Sequence, residues 1–463
     1  MKKIPYPGSL VDRKTRNIII DLVDRVNENS DLLEKLRESK PITEEVDIDF
    51  TRIKAPVEKP EGFSLEHNEL SNKIYTDGKH FIVDYSVEDE RKEFGKVYYV
   101  DQENGDNANG GNLPDDALSS LRVAYNKSDV GTIVVMGTNF RYNGLLLPGI
   151  SKNINIIGYD KDSKIILADI LNYTKESGYN NVYSAKRAGV GGVLDLSKKE
   201  KGGYHAYEEV ASIDEVDRTP SSFTTSGGYV YVHHENEPNS KTLVTTLNSP
   251  NILIPSDGAN YIYLDNIEII GGLRPFRSES ESAEIYCRNV KFLHGTALNG
   301  NGVEVVGGRK VILENCHASQ NPLDGFNYHK GANGSLPYFV EINCAGNNNG
   351  KYRGTNGSRS DNGSTAHDGI KGIRINGVYA NNDGGTIADV NEGTETWNLG
   401  VTAFNSLQGS DFLTSTGAKM WLDHCVSFGT SRSVNAINEN DMVFTRNCTF
   451  KGTIAGNGQV TEY

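Results

Sequence analysis

The sequence predicts an all-β chain wound into a solenoid of stacked coils, a parallel β-helix, on three observations. First, a short strand ending in a polar turn keeps returning between residues 261 and 455. It reads Asp265-Asn266-Ile267-Glu268-Ile269, Arg288-Asn289-Val290-Lys291-Phe292, Glu314-Asn315-Cys316-His317-Ala318 and Ile342-Asn343-Cys344-Ala345-Gly346, then Ile375-Asn376-Gly377-Val378-Tyr379, Asp423-His424-Cys425-Val426-Ser427 and Arg446-Asn447-Cys448-Thr449-Phe450. Second, the Asn-type position recurs after 23, 26, 28 and 33 residues, then across 48 to His424, and after 23 more. Units of that length cannot bury their own apolar face and must stack. Third, 49 glycines, 23 tyrosines and a hydrophobic content of 37% suit many turns and short strands better than helix packing.

Bulk properties exclude several function classes. The formal net charge of −14 argues against nucleic acid as a partner, because phosphates require clustered Lys and Arg. No stretch approaches the ~18 apolar residues of a membrane span, so no membrane insertion is expected. The opening Met1-Lys2-Lys3-Ile4-Pro5 is basic but leads into no apolar run, so no Sec signal is expected. Of the five cysteines, Cys316, Cys344, Cys425 and Cys448 share one phase of the repeat. Small hydrophobes at that phase line a coil interior, and the expectation is buried free thiols.

The elements follow in chain order. Ile19, Leu22, Val26, Asn29, Leu33 and Leu36 alternate spacings of three and four, which predicts a helix over 16–38 within an N-terminal segment 1–44. That helix either lies on the solenoid or self-associates, most simply as a trimer, and Pro41 ends it. Residues 45–95, charged and irregular with Pro56 and Pro60, read as a linker or small adaptor. From residue 96 to 463 the chain reads as the solenoid. Val97-Tyr98-Tyr99-Val100 is a first strand, and Pro114-Asp115-Asp116-Ala117-Leu118 opens a helix that caps the end of the stack. Thr132–Met136 and Ile154–Gly158 are the first coil strands. The repeat breaks between about 171 and 255, where an excursion packs on the side of the early coils.

The stretch Val97–Leu121 together with the later Asn-Cys coils resembles the opening and body of pectate-lyase-like right-handed β-helix proteins. More narrowly, the chain is similar to tail-spike proteins of bacteriophages and prophages of Gram-positive bacteria, over residues 96–463 for the fold and loosely over the N-terminus. The resemblance implies a right-handed coil, a virion-tail or extracellular location and a homotrimer. It also implies attachment to phage tail or baseplate proteins through the N-terminus, and binding and often cleavage of bacterial surface polysaccharide. Two other readings stay beside it. One is a receptor-binding appendage without catalysis. The other is a secreted pectate-lyase-like enzyme, which lacks both a signal and matching calcium carboxylates.

Function in a solenoid gathers where loops lengthen, because equivalent positions on successive coils stand ~4.8 Å apart. The long Gly- and Asn-rich intervals 319–337, 345–368 and 380–397 carry the densest titratable groups. Leu323-Asp324-Gly325, His367-Asp368-Gly369 and Ala388-Asp389-Val390 each lead into a coil, so Asp324, Asp368 and Asp389 are expected to stack, and a glycosidase carboxylate pair is drawn from the three. Tyr328, His329 and His367 are the candidates for β-elimination instead. Lys330, Arg353, Arg359, Asp361, Lys371 and Arg374 would bind substrate charges, and Trp397 would offer a flat apolar face to a sugar. No cofactor is required by either chemistry. The Asp- and Asn-rich loops at 101–112 and 361–363 carry the oxygen ligands calcium takes, without an EF-hand pattern.

Overall fold

The structure, a computed structural model, describes residues 55–65, 70, 72–77, 81–140, 149–246, 249–296, 300–350 and 361–463. The helix expected over 16–38 lies outside the described residues, as do Arg353 and Arg359. The chain divides into two units, one of residues 1–56 and 75–79 and one of 57–74 and 80–463. Within the first, Ala55 and Pro56 pair antiparallel with Thr76 and Tyr75.

The second unit is a parallel β-solenoid. Each coil contributes one strand to each of three long sheets, as Tyr261–Asp265, Glu268–Gly271 and Phe276–Ser278 do. The sheets hold 12, 13 and 9 strands. Register is kept residue for residue along the stack, for example Ile285 to Val311, Phe339 and Gly372. This is why apolar residues recur at one phase: Ile262, Ile285, Val311 and Met420 all fall in one continuous buried core.

The repeating Asn has a conformational cause. Asn266, Asn289, Asn315, Asn343, Asn376, His424 and Asn447 all sit at φ between 50° and 54°, in the left-handed region between the first and second sheets. Asparagine tolerates that region better than other side chains. Gly400, at φ 59°, fills the same place, so the interval from Asn376 to His424 is two coils. The asparagines also bond along the stack, Asn343 Nδ2–H donating to Asn315 Oδ1 at 3.2 Å and Asn315 Nδ2–H to Asn289 Oδ1 at 3.3 Å. The cysteine that follows the turn points inward. All five thiols are free, four are buried, and burial pushes Cys287, Cys344 and Cys425 upward.

The end of the stack is covered as expected, with shifted bounds. Pro114–Asp116 is a single 3₁₀ turn, and the α-helix is Leu121–Asn126, capped by the Ser120 side chain. Its Leu121, Ala124 and Tyr125 close the core over Val100 and Ile133. Residues 171–255 continue the hydrogen bonding of the coils. Val190–Glu200, Gly203–Ala206 and Thr242–Thr246 extend the second sheet antiparallel from Lys164–Ile170, and a separate five-stranded sheet completes the excursion.

The part of 45–95 in this unit lies on the coils. Phe63, Leu65, Phe81 and Val87 cover the outer face of the first sheet over Tyr261, Tyr286, Trp397 and Trp421. Ser64 donates to Glu395 from both N–H and Oγ–H, at 3.1 and 2.5 Å, and Val87 N–H donates to Glu314 at 2.8 Å. No helix among the described residues is long and apolar enough to cross a membrane.

Candidate active site

Alternation along the third sheet decides which candidates face solvent. In Phe326–His329 the residues Phe326 and Tyr328 point into the core, so Asn327 and His329 point out. Pairing of Phe326 with Ser364 and of Ala366 with Asp389 carries that phase to the next two coils. Tyr328 and Asp389 are therefore fully buried inside the coil.

They belong there to an internal polar network. The Tyr328 hydroxyl and the Ser364 hydroxyl donate to Glu341 Oε1 at 3.0 and 2.7 Å, and Tyr379 O–H donates to the other oxygen. Arg374 donates to Asp389 Oδ1 at 3.2 Å, to Asn398 Oδ1 at 3.3 Å and to Ser364 Oγ at 2.8 Å. Its guanidinium lies 4.8 Å above the Phe339 ring, which stacks on Tyr328 at 4.1 Å. A Cβ on Gly372 would collide with that ring. Burial pushes the Glu341 and Asp389 carboxyls up and holds the Tyr328 phenol well above its usual range.

The three aspartates expected to stack occupy different stations of the coil. Asp324 lies in the turn before the third sheet, Asp368 lies just past it at φ 60°, and Asp389 lies inside it. Three substrate-binding candidates also leave this face, Arg374 into the buried network inside the coil and two to the first sheet. The Lys371 ammonium reaches Ser64, on the outer side of the first sheet. Trp397 is 3% exposed, with Phe63 6.1 Å from it, because the segment after residue 57 occupies the face a sugar would have used.

What remains forms one connected outward face. Asp324 is buried, its Oδ1 accepting from Asn362 N–H at 2.7 Å and its Oδ2 from Asn327 Nδ2–H. Burial pushes its carboxyl up to about 7, and the charge of Asp361 on the next coil adds to that rise. Asn327 Nδ2 also stands 3.3 Å from His367 Nε2. His367 stacks on His329 at 4.2 Å, and His329 Nδ1 stands 3.4 Å from Asp368 Oδ2. Burial holds His367 down at about 3, so its ring is neutral. Asp324 thus sits at the back and His329, Asp368 and Lys330 at the exposed front.

Sequence reading missed the coil before. Glu304, 7% exposed, is gripped by Arg274 at 2.6 Å and by Arg277. Asn301 bridges the two coils, donating to Glu304 Oε1 at 3.1 Å and accepting from Asp324 N–H at 3.0 Å. The signal was present as a polar pair three residues apart entering three successive third-sheet strands: Asn301 with Glu304, Asp324 with Asn327, Asn362 with Thr365.

Among the described residues, no group of three His, Cys, Asp or Glu side chains is placed to hold a metal ion. In the loop at 101–112, Asp101 and Asp106 accept from nearby backbone N–H groups and cap their own turns.

No family model and no curated protein matches the chain. Among solved structures it is similar to a glycoside hydrolase at 8% identity, over 79% of this chain and 96% of that one, with a TM-score of 0.49. It is similar to XylC in complex with xylose at 9% identity, over 77% and 70% of the chains, with a TM-score of 0.40. A GH136 lacto-N-biosidase from Eubacterium ramulus is similar at 12% identity, over 80% and 68%, with a TM-score of 0.28. At these values the likeness carries no argument about activity, and the functional reading rests on the residues.

Proposed function

We propose that this chain is a carbohydrate-active β-helix that hydrolyses glycosidic bonds on the outer face of its third sheet. The observation that carries the reading is Asp324, a buried carboxyl bonded to the outward-pointing Asn327, with a second carboxyl, Asp361, on the next turn of chain adding to its raised pKa. A carboxyl held up to about 7 is protonated over the range in which a general acid is useful. Asp324 protonates the leaving glycosidic oxygen, and Asp361 supplies the second carboxylate that such chemistry uses. His329, Lys330 and Asp368 at the exposed front contact the sugar. Elimination through Tyr328 is dropped, because that phenol is inside the coil.

The finer reading is a phage-type tail-spike depolymerase acting on bacterial surface polysaccharide. The sequence resemblance over 96–463 supports it, and it adds a homotrimer and an N-terminal attachment to tail or baseplate proteins. Product analysis on host-wall polysaccharide tests the chemistry. Hydrolysis releases reducing ends without ultraviolet-absorbing unsaturated sugars, and elimination releases both.

One observation favours a second reading, a glycan-binding appendage without catalysis. Asp324 occupies the ladder position that Asn301 and Asn362 fill on the neighbouring coils, so a purely structural side chain fits there too. Binding without any new reducing ends would establish that reading.

A further inference from the structure

Between the excursion and the coils lies a cleft of about 550 Å³, lined on one side by the hairpin of residues 190–206 and on the other by His294, Thr296 and Gln320. It is preformed, because the hairpin tip is fastened to the coils. Gln320 Nε2–H donates to Glu200 O at 2.6 Å, Ser319 Oγ–H to Lys201 O at 2.9 Å, and Tyr204 N–H to His294 Nε2 at 3.0 Å. Tyr204 O–H adds a bond to Glu268 at 2.6 Å. A fixed wall of this kind binds without an ordering cost.

Two buried polar atoms on this cleft have no hydrogen-bond partner among the described residues. Gln320 is 1% exposed and its Oε1 accepts nothing. His205 Nδ1 stands 2.6 Å from Glu200 Oε2 while its Nε2 is unpartnered. A carboxylate accepts only, so Nδ1 carries the hydrogen toward Glu200, and the tautomer this selects leaves Nε2 as an acceptor. A native interior leaves few such atoms unmatched. The remaining lining is acidic, with Glu200, Glu208 and Glu209 against Lys201. Acceptors and negative charge together call for a ligand rich in O–H or N–H and carrying no carboxylate.

We propose that this cleft is a second carbohydrate site, taking a neutral or amino-bearing sugar unit, with Gln320 Oε1 and His205 Nε2 as fixed acceptors. It rests on the glycan reading above and lies on the coil whose turn runs on to Asn301 and Glu304. The test is a titration of the full chain carrying Asp324→Asn, which does not consume its ligand, with cellobiose, glucosamine disaccharide and digalacturonate. Cellobiose and glucosamine disaccharide should bind with millimolar dissociation constants, and digalacturonate should not. His205→Phe should weaken both neutral and amino sugars at least tenfold. Glu209→Lys, at an exposed rim position, should weaken the amino sugar more than threefold. Absence of binding by all three sugars, preference for digalacturonate, or unchanged binding in both variants would each overturn the proposal. Binding at the cleft by a wild-type chain that cleaves no glycan would sink the hydrolase reading and leave the cleft intact; cleavage without cleft binding would do the reverse.

Discussion

Asp324 and Asn362 hold the same station on successive coils, and the Asn362 N–H donates to the Asp324 carboxyl at 2.7 Å. One coil earlier Asn301 accepts from the Asp324 N–H in the same way. An amide at position 324 therefore fits the ladder, and Asn327, whose Oδ1 has no partner among the described residues, can turn to accept from it. Asp324→Asn removes the charge at this station and reverses the direction of the Asn327 bond.

That substitution predicts a stability effect with a definite sign. The folded carboxyl sits at about 7, above the unfolded ~3.9. The native state holds the extra proton, so stability is fully present below about pH 4 and falls as pH rises toward 7. Asp324→Asn should remove this loss, gaining up to about 4 kcal/mol at pH 7 and nothing at pH 4. Denaturant midpoints of both proteins across pH 4–8 check it. The difference matters because His294, His317 and His367, held at about 3, 4 and 3, act oppositely. They draw protons to the unfolded chain below about pH 6.5 and lower stability on the acid side.

Arg374→Met should destabilise by about 3–5 kcal/mol at pH 7, because it leaves Glu341 and Asp389 buried without their cation. Both carboxyls are already pushed up by burial, so the deficit should shrink at pH 4, where they take up protons. Unfolding in urea at the two pH values gives the comparison.

Phe63→Ala should cost about 3–5 kcal/mol and shift tryptophan fluorescence to the red. The chain has two tryptophans, and Phe63 stands 6.1 and 5.4 Å from them. Cleavage of glycan by the folded variant should be unchanged, since Trp397 is a core residue under the segment around Phe63.

Asn343→Val should cost about 1–2 kcal/mol more than Asn343→Gly, because φ 52° strains a β-branched residue and suits glycine. Gly400 shows that glycine serves at this station. Thermal midpoints of the two variants decide the point.

The fold was legible because its cause is local. The coils repeat one left-handed turn, at Asn in most of them, one inward cysteine or aliphatic residue and one outward polar residue, so Asn289 announces Asn315 and Asn343. The site was legible in part. Asp324, Asp361, His329, His367 and Asp368 are gathered by the long loops that singled them out. Asp389, Tyr328 and Arg374 were not separable from them, because a shift of one residue along a strand exchanges outside for inside, and loops of unequal length hide the register. Trp397 was misplaced for a different reason. The segment around Phe63 that covers it lies more than 300 residues earlier, and no local pattern links the two. Glu304 went unnoticed because its arginine partners lie on an earlier coil.

The most direct test compares wild-type protein and Asp324→Asn on host-wall polysaccharide, reading reducing ends per enzyme over time while circular dichroism confirms equal folding. The account predicts steady release by the wild type, falling away as pH rises through about 7, and a loss of about 100-fold or more in the variant. A folded Asp324→Asn chain that releases reducing ends at the wild-type rate would contradict it.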